Sequence, residues 1–424
     1  MSDSKLSRRK FLTMCAGAVV LAGGGFLLAS KKDQLINEFD GVKFVRQLVA
    51  SDNATARTIM WQTDIENKEI SLEYRSKNSA TIQKVTPNCE EFSDDGQTQF
   101  IYTVELTDLP LATDCEYRLV DNDKNGPWHT LKLANNDNLC ALIFPDSQSS
   151  DYTDWKNLAQ TAAKRNMQAD CFINMGDLVD NGEDHYQWNE WFKAVDGIID
   201  RIPLVPVMGN HETYNRDWQV REPLAYLREF AVPTNDSTKF SRYYYSFDYG
   251  PVHFVVLNTQ QYEVNNYADG KALLREQQAW FYNDMKATTK PWKIVLMHRD
   301  VLDYRIKNRP ERREGISEEG IAWMPIFEQL KVDVVFTAHL HTYRNRGHLQ
   351  NFDSANSGPY YILTGVAGNV RYTDFWLDHA LDKKKAPQPE TDNYLVLTVN
   401  ADKLQVSCYL PDGTEIDKVE LNHN

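Results

Sequence analysis

Five short polar motifs punctuate the chain, each directly after an apolar run. They are Asp146-Ser147-Gln148, Gly176-Asp177-Leu178-Val179-Asp180, Gly209-Asn210-His211-Glu212, Met297-His298-Arg299 and Ala338-His339-Leu340-His341. Their side chains are carboxylates, amides and imidazoles without thiolate, a donor set that suits Mn, Fe, Zn or similar ions. Singly, each has an ordinary structural explanation. An Asp after a strand is usually a turn or helix-cap residue. Asn210-His211 fits a capped turn, and His298, closing Lys-Ile-Val-Leu-Met, fits a buried and satisfied histidine. His339-x-His341 says more, because alternate residues of an extended segment share a face. Together, in this order, the five point to a metal centre.

The elements that must position them are legible around the motifs. Cys140–Phe144, Cys171–Met175, Leu204–Met208, His253–Leu257, Lys293–Met297, Val332–Thr337 and Tyr360–Thr364 read as buried strands. Helical spacing lies between them, at Asp154–Arg165, Trp188–Asp196, Leu273–Lys286 and Gly320–Leu330. Strands alternating with helices give an α/β layer architecture. In such a sheet, side chains just beyond the carboxyl ends of the strands converge on one crevice. Ligands spread from 146 to 341 therefore meet. The last forty residues return to strands, at Tyr394–Val399 and Lys403–Leu410.

The segment before this region is different. Between about 40 and 135, Thr58–Thr63, Ile70–Tyr74 and Phe100–Val104 are β-forming runs at roughly ten-residue spacing, as in a β-sandwich. Leu109…Thr113…Tyr117 has the arrangement of a tyrosine corner, as in fibronectin type III-like domains. Nothing here carries catalytic side chains, and the turn-rich stretch Ala134–Asn138 is expected to be a linker.

At the N-terminus, Arg8-Arg9-Lys10-Phe11-Leu12 precedes an uncharged run from Thr13 to Ala29, then Lys31 and Lys32. Residues 1–32 read as a twin-arginine export signal or, if uncleaved, a membrane tether. The expected location is periplasmic, cell-surface or extracellular. Net charge is −14 overall. Without the six basic residues and one acidic residue of that segment, the remainder carries 40 basic against 59 acidic side chains, or −19. Such an acidic surface argues against a nucleic-acid backbone or an anionic lipid surface as partner. Beyond the signal, Cys89, Cys115, Cys140, Cys171 and Cys408 show no CxxC pair, so neither a zinc site nor a disulfide scaffold is indicated.

The motif set resembles the DxH, GDxxD, GNH[DE], His and GHxH signature of calcineurin-like metallophosphoesterases. It is closest to the purple acid phosphatase branch. Tyr245-Ser246-Phe247-Asp248-Tyr249-Gly250-Pro251-Val252-His253-Phe254 is similar to that branch's segment before its central strand, and a sandwich in front of the catalytic part is shared too. The resemblance implies a β-sandwich over 38–135, then a four-layer α/β/β/α metallophosphoesterase domain over 139–424. It implies two divalent or mixed-valence ions, with Asp177 bridging. Asp146, Gln148 and His341 would serve one ion, and Asn210, His298 and His339 the other. His211 would act outside the metal shell on the transition state or leaving group, with Glu212 or another carboxylate orienting it. Arg299 and Tyr214 are substrate-binding candidates, and Arg299 has a salt bridge as its ordinary alternative.

Two residues depart from the pattern. Gln148 stands where many relatives have a ligating His, and Asp180 stands where the purple branch has the tyrosinate that gives its colour. No purple band is therefore expected. The implied function is an exported phosphohydrolase in which metal-activated water attacks small phosphate monoesters. A phosphodiesterase or nucleotide hydrolase on the same core is the alternative within the enzyme class. A non-catalytic surface protein with a decayed site is the alternative outside it. Two loops, Thr213–Glu222 and the arginine-rich Asp300–Glu314, are expected to shape the pocket.

Overall fold

Runs rich in Val, Ile and Leu form the central strands, because they bury both faces and so need no polar alternation. The computed structural model describes residues 41–423, apart from Asn78, Ala112, Asn136, Pro310 and Gln388. The export segment expected over 1–32 lies outside these residues. Asn138–Phe144, Cys171–Asn174 and Leu204–Pro206 pair in parallel at the centre of a ten-stranded sheet. The antiparallel strands Tyr394–Asn400, Lys403–Tyr409 and Glu415–Asn422 extend one side. A second, eight-stranded sheet has Val252–Leu257, Trp292–Met297, Val334–Thr337 and Tyr360–Gly365 in parallel.

Strand alternation then sorts the layers. Phe254, Val256, Ile294, Leu296, Val334 and Phe336 enter the core shared with the first sheet. Their neighbours Val255, Leu257, Val295, Met297 and Val335 pack instead on Phe281, Trp323, Met324 and Phe327. Those four come from the helices Gly270–Ala287 and Glu318–Gln329. On the first sheet, Trp155 and Leu158 of helix Thr153–Arg165 and Trp188 and Trp191 of helix His185–Ala194 complete the cover. The order is α/β/β/α, as the resemblance implied.

The N-terminal segment is a sandwich around Ile59, Trp61, Leu72, Tyr102, Val104, Tyr117 and Leu119. One of its sheets is continuous with the ten-stranded sheet, since Lys43–Leu48 pairs in parallel with Leu204–Pro206. A buried ion pair seals the join, with Arg46 Nη2 2.8 Å from Glu229 Oε2 and Gln99 donating to Glu229 Oε1 at 2.6 Å. Around 134–138 the chain is tied down at both ends. Ala134 N donates to Asn53 O, and Asn138 already pairs with Asn400. The tyrosine corner needs correction. Such a tyrosine returns its hydroxyl to the backbone just upstream, whereas Tyr117 donates to the Asp200 carbonyl oxygen at 2.7 Å. A buried hydroxyl requires a partner, and the 195–202 turn packed on the sandwich provides it. All five described cysteines are free thiols.

His253 ties the edge of the second sheet to its helix layer. Its Nδ1 faces Asp248 Oδ1 at 2.7 Å and its Nε2 faces Asp284 Oδ2 at 2.9 Å. Burial favours the neutral ring, but the two carboxylates outweigh it and raise the pKa to about 9. A pKa raised in the fold stabilises fully below the unfolded value, about 6.5, and the gain is lost as pH rises through about 9. Asp248 is partly exposed, so the gain is on the order of 1–2 kcal/mol. Chemical denaturation of His253→Asn beside the unaltered protein should show the stability gap narrowing between pH 6.5 and 9. A gap that stays constant across that window would remove the double ion pair as its source.

Candidate metal centre

Each motif sits where a parallel strand ends and the chain must turn sharply. Asp177, His339 and His341 have φ of 49°, 74° and 50°. Non-glycine residues rarely adopt this conformation, and such strain collects at functional sites. The turn leaves no room for side chains behind the ligands. A Cβ at Gly209 would run into Asp177 Oδ1, and one at Gly176 would meet His298 Nδ1.

Five of the expected ligands converge in two groups that share one carboxylate. Asp177, His298 and His339 form one, and Asp146, Asp177 and His341 the other, with potential donor atoms within 4.8 Å of one another in each. His298 Nε2 lies 3.1 Å from Asp177 Oδ2, and His341 Nε2 lies 3.4 Å from Asp146 Oδ1. Backbone carbonyls set the tautomers. His298 Nδ1 is 2.9 Å from Met175 O and His341 Nδ1 is 2.5 Å from Val370 O. With Nδ1 of each ring turned to a carbonyl, each Nε2 is aimed at the centre, the atom a ligating imidazole presents to a cation. His339 Nδ1 faces His298 Nε2 at 3.3 Å, and its backbone N–H donates to both Asp146 oxygens at 3.1 Å.

The remaining expected ligands are amides. Asn210 Oδ1 and both polar atoms of the Gln148 amide are buried and lack a hydrogen-bond partner among the described residues. Orphaned buried polar atoms are costly, and two such amides beside a ring of carboxylates and imidazoles fit cations completing the site. Gln148 also binds through its backbone, N to Asp177 O at 2.9 Å.

Electrostatics follow from the crowding. Burial opposes the charge on Asp177, but facing His298 and His211 hold its carboxyl well below the usual range. Burial, with the charges of His298 and Arg299, pushes His339 far below its ordinary value, so its ring is neutral and able to ligate. His211 Nε2 lies 3.9 Å from Asp177 Oδ2, while its Nδ1 faces the Asp180 carbonyl oxygen at 2.7 Å. Burial works against its protonation, but Asp177 and Asp180 raise it to about 9.

Asp180, and not Glu212, orients His211. The Glu212 carboxylate instead accepts from the backbone N–H groups of Asp177, Leu178 and Gly209 at 3.1, 2.7 and 2.7 Å. It is a brace for the turn, because the short 3-10 segment His211–Thr213 turns residue 212 back under the Asp177 loop. Tyr214 and Trp218 meet the His211 ring edge-on, with centroids 5.4 and 5.7 Å away. Arg216 of the same loop pairs with Asp95 instead. Arg299 is committed, with Nη2 2.6 Å from Glu263 Oε1 and Nε donating to Gln260. Sequence reasoning missed Glu263, and it missed Tyr372, whose ring stacks on His341 at 4.6 Å. Neither lies in a motif, and only the folded chain brings them in.

Residues 43–133 match the profile of the purple acid phosphatase N-terminal domain. Purple acid phosphatase 23 of Arabidopsis thaliana is 29% identical over 212 residues, covering 47% of this chain and 41% of that protein. Purple acid phosphatase 22 of the same plant is 29% identical over 342 residues, covering 77% and 71%. The match spans less than half the length of the first three such relatives. Among solved structures, a purple acid phosphatase from yellow lupin (Lupinus luteus) seeds superposes with a TM-score of 0.71 at 16% identity, covering 90% of this chain and 74% of that one. PhoD superposes with a TM-score of 0.59 at 12% identity, covering 89% and 91%. At these identities the likeness is one of fold. Residues 128–343, just over half of the chain, match the profile of the calcineurin-like phosphoesterases, and the chain belongs to that family.

Proposed function

We propose that this protein is an exported, dinuclear metal-dependent phosphohydrolase acting on small phosphate monoesters. The observation that carries the reading is Asp177, a buried carboxylate shared by two groups of facing ligands. Its two oxygens and single charge suit a bridge between two cations. When bound, the metal ions would supply positive charge for the phosphoryl oxygens and acidify a water molecule.

The chain's own residues do the rest. His211, held by Asp180 with Nε2 toward Asp177, carries a proton to the side where the ester lies. Hydrolysis joins the water oxygen to phosphorus and breaks the bond to the leaving oxygen. His211 is placed to hand that oxygen a proton. Purified protein should contain metal and hydrolyse para-nitrophenyl phosphate. Chelation should lower that rate by about a hundredfold or more, and single added metals should restore it. A rate indifferent to chelation would sink the dinuclear reading.

One observation favours a diesterase as second reading. Tyr214 and Trp218 flank His211, while Tyr372 flanks His341, so aromatic surface borders the centre at both of these ligand loops. A diester has a substituent for each. Bis-para-nitrophenyl phosphate assayed beside the monoester decides, and a marked preference for the bis-ester overturns the monoesterase reading.

Export is supported by Arg8-Arg9 ahead of the apolar run. Replacing both arginines by lysine should retain the protein in the cytoplasmic fraction, measured by fractionation and immunoblotting. Unchanged distribution of the double variant would remove the twin-arginine route.

A further inference from the structure

Beside the metal centre runs a cleft of about 350 Å³ with His339 among its lining residues. That volume is within the range of small-molecule sites, about 300–1,000 Å³. Part of its lining is aromatic. Tyr372 stacks on His341 at 4.6 Å, and Phe375 and Trp376 continue the surface with centroids 4.8 Å apart. Trp376 is fixed by its Nε1–H, which donates to Leu340 O at 2.8 Å.

The same cleft is lined by Glu319, a carboxyl side chain only 7% exposed whose Oε1 has no hydrogen-bond partner among the described residues. Its place is set by the helix start, where Ser317 Oγ caps Gly320 N at 3.0 Å. An acceptor buried and left unpartnered is costly unless a ligand donates to it. Arg299 acts on it through charge alone, its Nη2 being hydrogen-bonded to Glu263 at 2.6 Å. At the rim, Arg309 makes no ion pair among the described residues. Arg312 lies over the Trp376 ring, 5.2 Å from its centroid, and faces Asp303 at 3.7 Å. The lining thus offers flat aromatic area, one buried acceptor and the cations of Arg309 and Arg312. An aliphatic chain would leave the flat aromatic area unused.

Resting on the phosphoesterase reading above, we propose that this cleft seats the leaving group, and that the group is an amine-bearing heteroaromatic ring. The substrate class is then a nucleotide, with its base against Tyr372 and Trp376 and an exocyclic N–H donated to Glu319 Oε1. Stacking on aromatic side chains tolerates any base because every base has a π-face. Glu319 adds the preference for a base that carries an amine.

The test uses the metal-loaded full chain with adenosine 5′-monophosphate, inosine 5′-monophosphate and glycerol 3-phosphate. The kcat/KM for the adenine nucleotide should exceed that for glycerol phosphate by about tenfold or more. Trp376→Leu should shrink that ratio about tenfold. Glu319→Gln should shrink the adenine-to-inosine ratio instead, because an amide donates to the inosine carbonyl as readily as it accepts. Equal kcat/KM for the nucleotide and glycerol phosphate, or variants that move all three substrates alike, would overturn the proposal and leave the phosphoesterase reading intact. Calorimetry with adenosine alone separates the two failures. Adenosine binding that is weakened in Trp376→Leu supports the cleft even if no ester is cleaved, an outcome that would sink the phosphoesterase reading. No adenosine binding overturns the cleft.

Discussion

Asp177→Asn is expected to lower hydrolysis of para-nitrophenyl phosphate by on the order of a thousandfold or more, with the fold intact. A single lost electrostatic donor at an active site costs about a hundredfold to a thousandfold, and this substitution removes more. The carboxylate is 1% exposed and belongs to both ligand groups. As an amide it loses the charge that offsets two cations, and it turns an N–H₂ toward one of them. The backbone N–H of His211, which donates to Asp177 Oδ1 at 2.9 Å, retains an acceptor only if the amide oxygen faces it. That orientation directs the N–H₂ at His298 Nε2, now 3.1 Å from Oδ2. Metal content should therefore fall along with activity, measured by elemental analysis of the purified variant, while circular dichroism stays unchanged. Unaltered hydrolysis by the variant would falsify the dinuclear mechanism.

The centre was legible because each ligand is announced locally. An apolar strand followed within a few residues by an Asp, Asn or His is a local pattern, and the sheet topology supplies the convergence. Strand and helix positions followed from the same runs. What stayed hidden depends on residues far apart in the chain. The Nδ1 partners of His298 and His341 are the carbonyls of Met175 and Val370, 123 and 29 positions away. The acceptor of the Tyr117 hydroxyl, Asp200 O, is 83 positions downstream, so a local corner motif pointed it the wrong way. Arg299, next to a ligand, read equally as a phosphate contact or a salt bridge until Glu263 of the short helix Gln261–Val264 decided for the latter. Backbone-directed contacts were equally invisible, since a carboxylate in a motif says nothing about whether it serves a ring or a peptide N–H.

Glu212 is that case, and its replacement by Gln is the second large effect expected. Oε2 accepts from Asp177 N and Gly209 N, and Oε1 accepts from Leu178 N. All three contacts are buried. A Gln side chain has one oxygen, so in either orientation its N–H₂ confronts at least one backbone N–H. Each donor left unsatisfied costs about 1–3 kcal/mol. Burial and the adjacent Asp177 charge push the Glu212 carboxyl up to about 7, against the charge of His298 and the N–H groups of Gly209 and Leu178. The residue touches no substrate, so its effect on rate is positional. Loosening the 176–178 turn shifts Asp177, and a displacement of about 1 Å at a reacting centre costs on the order of a hundredfold. Glu212→Gln should thus show reduced thermal stability together with a lower kcat and weakened metal retention. Glu212→Asp, which keeps both oxygens on a shorter stem, should recover part of each. If Glu212→Gln loses activity while stability and metal content stay at their original levels, Glu212 acts on the substrate directly and not through the backbone of Asp177.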